Sequence, residues 1–270
     1  MKLDDLNALT APFGMTDRMP LLFLGHGSPM NAIAENEFTR GWREAGKSVP
    51  KPAAVLCISA HWETYGPQVT AMEKPRTIHD FGGFPRALFE MQYPAPGSPE
   101  LAQRVMQLLA KNAVKPDQTW GLDHGTWSVL CRMVPKADIP VVQLSLDHTR
   151  DGAFHYNLGA QLQDLRDEGV LILGSGNIVH NLRMMVLEDT SFDWALDYDA
   201  RVTQWILDGE HEPLIHFEKG GKSAALAINS AEHYLPLLYI LALQKVGEPV
   251  SFFNEKIWGG ALSMRGLRIG

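Results

Sequence analysis

The stretch Pro-Leu-Leu-Phe-Leu-Gly-His-Gly-Ser-Pro (residues 20–29) sets the reading of the fold. Pro20 to Leu24 is almost unbroken apolar sequence, and Gly25 closes it. So short and apolar a run suits a strand covered on both faces, as in a mostly parallel sheet. Three more runs share this character: Ala53–Ala60, Ile139–Leu146 and Val170–Leu173, the last closed by Gly174-Ser175-Gly176. Helical patterns lie between and after them. Ser98 and Pro99 read as the cap and first turn of a helix over Glu100–Asn112, with Leu101, Val105, Leu108 and Leu109 on one face. Phe154–Glu168 (ended by Gly169), Trp194–Asp208 and the very apolar Ala231–Lys245 are further helices. Alternation of strands and helices predicts a layered α/β sandwich. No repeat, low-complexity tract or linker-like shift interrupts it, so one domain is expected over residues 1–270.

Bulk properties exclude several classes. Net charge is −7 and Lys/Arg residues are scattered, which argues against a nucleic-acid surface. No apolar run approaches the ~18 residues of a membrane span. Met1–Asp17 carries Asp4 and Asp5 and no basic segment followed by an apolar one, so no leader is expected and the segment is expected to be peripheral. The two cysteines, Cys57 in a strand-like run and Cys131 in a helix, read as buried reduced thiols and fit a cytoplasmic setting.

Histidines carry the chemical signal. His26 follows the first strand between two glycines, and His61 follows the second strand before Trp62. Ligand sites of open α/β sheets cluster at such carboxyl ends. Neutral imidazole is a preferred ligand for zinc, iron and nickel. His180 follows the Gly-Ser-Gly-Asn turn and is either a further ligand or a free imidazole placed to move protons. Val179 stands where a dinucleotide fingerprint needs its third glycine, so phosphate binding is not favoured. His233 opens a helix beside Glu232. Adjacent helical residues point about 100° apart, so one of the two, not both, is expected to reach a metal. His124, in Trp-Gly-Leu-Asp-His-Gly-Thr-Trp (120–127), reads as a loop residue supporting a ligand or facing substrate, with Asp123 as its neighbour. His79 gives a similar but weaker signal, and Asp80, Phe81 and Phe84 are read either as a pocket wall or as a packed loop. His148, His155, His211 and His216 are assigned no function. Ser28, Ser59 and Ser175 lack the nucleophile-elbow spacing of a serine hydrolase.

Together these motifs resemble one family. Phe-Leu-Gly-His-Gly-Ser-Pro-Met-Asn (23–31), Ser-Ala-His-Trp (59–62), Ile-His-Asp-Phe-Gly-Gly-Phe-Pro (78–85), Tyr-Pro-Ala-Pro-Gly-Ser-Pro (93–99), the 120–127 segment, Gly-Ser-Gly-Asn-Ile-Val-His-Asn-Leu (174–182) and Glu-His-Tyr-Leu-Pro-Leu-Leu-Tyr (232–239) are similar to the DOPA-dioxygenase group of the class III extradiol ring-cleaving dioxygenases. The resemblance runs from about Pro20 to the C-terminus. It implies a mostly parallel or mixed sheet flanked by helices, and a non-haem Fe(II) enzyme that opens a catechol such as DOPA with O₂ to a muconic semialdehyde-type product. It maps metal ligands onto His26 and His61. His180 matches the acid–base histidine, which some members count as a ligand. In the wider class the third ligand is a glutamate; here the segment reads Glu232-His233, and the resemblance points to His233. His124 is assigned to stabilise the bound substrate or O₂. An all-histidine site also suits zinc, which lacks a second oxidation state and would bind catechol without opening it. The competing expectations are a zinc hydrolase on a similar α/β scaffold and a binder without turnover.

Overall fold

All four apolar runs form strands, and each is buried on both sides. The computed structural model describes residues 14–270. Most of the N-terminal segment expected to be peripheral, residues 1–13, lies outside them; within the rest, the Thr16 N–H donates to the Asp167 carbonyl at 2.7 Å. The strands are β1 (Leu21–Gly25), β2 (Ala54–Thr64), β3 (Gln68–Thr70), β4 (Lys115–Asp117), β5 (Val141–Asp147), β6 (Val170–Gly176), β7 (Val250–Phe253), β8 (Ile257–Trp258), β9 (Leu262–Ser263) and β10 (Gly266–Ile269). Eight make one sheet in the order β4-β3-β5-β2-β6-β1-β10-β7, and β8 and β9 form a separate ribbon. The central four, β5-β2-β6-β1, are mutually parallel. Antiparallel pairings of β3 with β5 and of β10 with β1 flank them, so the sheet is mixed.

Alternate residues of each central strand feed two apolar layers. Leu21 and Phe23 of β1 join Leu56, Ile58 and Ile172 on one face, and Leu22 and Leu24 join Val55, Cys57, Leu171 and Leu173 on the other. Against the first face pack α4 (Gly152–Ala160), α5 (Asp193–Asp208) and α6 (Leu235–Ala242). The second carries α1 (Glu37–Ser48) and α3 (His124–Met133), and α2 (Pro99–Leu108) lies beside β3 and β4. Among the described residues no helix is long and apolar enough to cross a membrane. Both cysteines are free, and burial pushes both thiols up, that of Cys131 to about 11.

Several boundaries differ from expectation, each for a physical reason. α2 starts as read, with the Ser98 hydroxyl accepting from Leu101 N at 3.1 Å and Pro99 in the first turn. The expected helix over 154–168 is two pieces: α4 begins earlier because Asp151 caps it through Phe154 N at 2.9 Å, and a separate turn spans Asp164–Asp167. The expected helix from Ala231 starts only at Leu235, because Pro236 is tolerated in a first turn and not in a helix interior. β2 runs past its expected end to Thr64 and contains His61. Between the pairs Ile58–Leu144 and Glu63–Leu146, five steps of β2 advance against two of β5. That bulge bends the strand and re-aims its side chains.

His155, fully buried under α6, shows how burial sets charge here. Its Nδ1 accepts from the Tyr239 hydroxyl at 2.9 Å and its Nε2 donates to the Asp147 carbonyl at 3.2 Å, a neutral imidazole with both nitrogens satisfied. Burial lowers its pKa to about 4 against the opposing pull of the Asp147 carbonyl. The unfolded chain therefore binds the extra proton first, near pH 6.5. Stability from this group is full above that pH and is lost as pH falls toward 4, at up to about 1.4 kcal/mol per pH unit. Urea unfolding at a series of pH values should show this decline, with a shallower slope in His155→Gln.

Candidate metal centre

The site is built where β1, β2 and β6 end. His26 leaves β1, His61 rides the β2 bulge, His180 follows β6, His124 opens α3, and His233 lies in the turn before α6. Gly176 lets that turn approach the sheet: a Cβ there would stand 2.1 Å from the His233 carbonyl, which accepts the Asn177 N–H at 2.8 Å. The glycines of Gly-Ser-Gly thus make room for the 233–236 segment and do not cradle a phosphate. Gly125 is likewise forced, since its Cβ would meet Ser59 Oγ at 2.4 Å and the His61 ring at 2.9 Å.

The rings of His26, His61 and His233 stand mutually 4.9, 5.0 and 5.2 Å apart between centroids. His61 and His124 are at 3.8 Å, and His180 stacks flat on His233 at 3.4 Å with planes 6° apart. The five imidazoles therefore form one cluster. Ligand atoms of His26, His61 and His124 fall within 4.8 Å of one another, as do those of His180, Glu232 and His233.

Outer partners turn the ring nitrogens in a consistent direction. Ser175 gives its hydroxyl proton to the Gly125 carbonyl at 2.5 Å, so its oxygen accepts from His26 Nδ1 at 3.1 Å. That assignment leaves the lone pair on His26 Nε2, which faces His61 Nε2 at 3.0 Å. His124 Nδ1 donates to Asp80 Oδ2 at 2.8 Å, and Asp80 Oδ1 accepts the His124 backbone N–H at 2.8 Å. The same Oδ2 lies 3.5 Å from His61 Nδ1. His233 Nδ1 meets Glu232 Oε1 at 3.0 Å. Three Nδ1 atoms thus hydrogen-bond outward to oxygen and that of His61 faces the Asp80 carboxylate, which leaves the Nε2 lone pairs unclaimed by these partners, the pattern of metal-ligating histidines held by carboxylates and hydroxyls.

Burial, then the crowding of like rings, holds His26 well below the usual imidazole range; burial and the other imidazoles do the same to His61 and His233. Burial lowers His180 to about 4. All four are neutral at pH 7 and offer lone pairs. Two ligands held ~2.0–2.1 Å from one ion stand roughly 3–3.4 Å apart, which the facing Nε2 atoms satisfy. The donor set fits a divalent cation. Asp80 is itself pushed up by burial, but the His124 hydrogen bond and the nearby imidazoles outweigh this and hold it below the usual carboxylate range.

Some expectations need correction. Glu232 and His233 precede the helix, so the 100° argument does not apply: they touch, with Glu232 behind the His233 ring. His124 is not a loop residue but the buried first residue of α3. Asp123 does not hold its ring; Asp123 caps α3 through Thr126 N and accepts from Ser59 Oγ and Gln143 Nε2, both at 2.6 Å. Asp80, 44 residues away, takes that role. Ser175, weighed only as a nucleophile, orients His26. His79 donates to the Met91 carbonyl at 3.0 Å and lies outside the cluster. Phe81 and Phe84 line the cavity of about 390 Å³ into which the histidines face, while Trp62 stacks on Trp120 and Trp127 donates to the Ile78 carbonyl.

A family profile, the catalytic LigB subunit of aromatic ring-opening dioxygenase, matches residues 20–253. The chain belongs to this family. As a ring-opening dioxygenase it is 48% identical over 94% of its length to a protein of Escherichia coli K12 named 4,5-DOPA dioxygenase extradiol, covering 95% of that protein. It is 40% identical over 89% of its length to the protein of the same name from Beta vulgaris, covering 92% of it. A crystal structure from Escherichia coli K12 superposes with a TM-score of 0.82 at 42% identity, covering 94% of this dioxygenase and 100% of the other chain. The match is to an oxygen-incorporating, extradiol type of enzyme, so the hydrolase alternative is not favoured.

The Asp80 clamp gives a direct test. Asp80→Asn should retain the native circular dichroism spectrum and lose about 10–100-fold in metal affinity or activity, read by chelator competition and by kcat/KM.

Proposed function

We propose that this dioxygenase opens the ring of a catechol, DOPA or a relative of it, with Fe(II) held by His26, His61 and His233. The observation that carries the ligand assignment is the convergence of those three rings at about 5 Å with each Nδ1 bound or turned outward. DOPA enters through the names of the relatives; the cation through the neutral imidazole donors and the redox demand of O₂ chemistry. When bound, Fe(II) would supply open coordination positions and an accessible second oxidation state, which zinc lacks.

The residues divide the remaining work. His180 has no hydrogen-bond partner on either ring nitrogen among the described residues, faces the cavity, and is neutral. It is therefore free to take the proton of a catechol hydroxyl and return it later, as general acid–base catalysis requires. Stacking on His233 fixes its plane. His124, held at both its backbone N–H and Nδ1 by Asp80, presents Nε2 to the bound substrate or O₂. Phe81 and Phe84 wall the cavity and exclude water from the ring. Reduced free thiols at Cys57 and Cys131 support a cytoplasmic setting.

Anaerobic loading with Fe(II), then air and a catechol, should consume O₂ and give a coloured product, whereas zinc-loaded protein should do neither. In His180→Gln the metal content should stay at the wild-type level while kcat falls by about 10²–10⁴. His61→Ala should lose metal, and His124→Ala should keep it. Loss of metal on changing His180 would make that residue a ligand instead.

A further inference from the structure

The histidine cavity does not end at the histidines. A second space of about 360 Å³ opens beside it and shares Ser28, Phe84, Leu187, Trp258 and Leu262 with the first. Its remaining walls include Met30, Ala34, Phe38 and Met264, of which Phe38 and Met264 belong to the buried core. At the mouth, Leu182 and Leu187 stand 56% and 85% exposed, an uncommon placement for leucine that keeps the entrance apolar. The annex thus adjoins the site across five shared residues and is mainly apolar, and its polar lining is neutral: Ser28, Asn31 and Asn36.

Charge is missing from this surface. None of the described residues lining either space is Lys, Arg, Asp or Glu. Cations nearby are committed elsewhere. Arg132 donates to the Asn31 and Ala34 carbonyls from behind the annex, and Lys256 is paired with Glu37 and Asp189. Arg183, exposed next to Leu182, adds nothing to the lining. A carboxylate and an ammonium drawn into such a space would lose water without gaining an oppositely charged partner, which is costly. Apolar carbons would gain by the same transfer.

We propose that the annex receives the ring substituent of the substrate and selects an uncharged, apolar one, so that 4-alkylcatechols are better substrates than DOPA, whose side chain is a zwitterion. The proposal rests on the reading that catechols are opened at the histidine cluster. Each methylene buried in the annex should raise kcat/KM about fourfold, so three of them should raise it well above tenfold.

The experiment compares 4-methylcatechol, 4-butylcatechol and L-DOPA with Fe(II)-loaded protein by O₂ uptake, and measures anaerobic binding of the same three by calorimetry. The expected result is a kcat/KM for 4-butylcatechol at least tenfold above both others, with the same order in binding. Ala34→Leu, which fills the annex away from the histidines, should cut the butyl-over-methyl preference to under threefold. The wild-type series decides alone if that variant does not fold. L-DOPA turning over as well as or better than 4-butylcatechol, or no gain from methyl to butyl, would overturn the proposal while leaving the ring-opening reading intact. Binding of 4-butylcatechol with no O₂ uptake from any catechol would overturn that reading, and the substrate assignment with it.

Discussion

Everything at this site depends on keeping several imidazoles neutral and aimed at one point. A protonated imidazole has no lone pair to give, and a neutral one has two nitrogens that compete for that role. Burial settles the first matter by making charge expensive for His26, His61, His180 and His233. Hydrogen bonds from behind settle the second: Ser175, Asp80 and Glu232 occupy or face Nδ1, so Nε2 is the atom left for a cation. Neither device is enough alone. Buried rings without outer partners would be neutral but unaimed, and partnered rings in water would protonate as pH falls.

The sheet supplies the platform. Parallel β2, β6 and β1 end side by side, and their carboxyl ends deliver His61, His180 and His26 to one edge. The surplus residues in β2 swing His61 out of the ladder, and the glycine at 176 lets the chain before α6 cross close enough to add His233. Core packing on both faces fixes those strand ends, so precision at the centre is inherited from apolar residues that never touch it.

Much of this was legible in the amino-acid sequence, and the rest has identifiable reasons for being hidden. Strands with two buried faces announce themselves as continuous apolar runs, and His26 and His61 stand out because glycine or small residues clear the backbone around them. The family motifs pointed to His180 and His233. Asp80 was not legible as a partner of His124, because its role comes from a loop folding back across 44 positions and no local spacing encodes that. Ser175 was hidden by chemistry: serine next to glycines suggests a nucleophile, and only the Gly125 carbonyl reveals which way its proton points. The start of α6 at Leu235 is legible in Pro236, which marks a first turn. The relation of Glu232 to His233 is set by the turn before α6 and not by helical spacing, so the periodicity of the apolar segment does not encode it.

Asp80 also has a neighbour worth following. It is adjacent in the chain to Phe81, and with Phe84 that loop forms part of the chamber wall. The carboxylate that steadies His124 and faces His61 is thus carried on the same short span that lines the chamber. A carboxylate and an aromatic ring on adjacent residues share one backbone, so the chamber wall and the hold on His124 are not placed independently. The outline of the chamber and the setting of an imidazole are therefore written into one stretch of backbone.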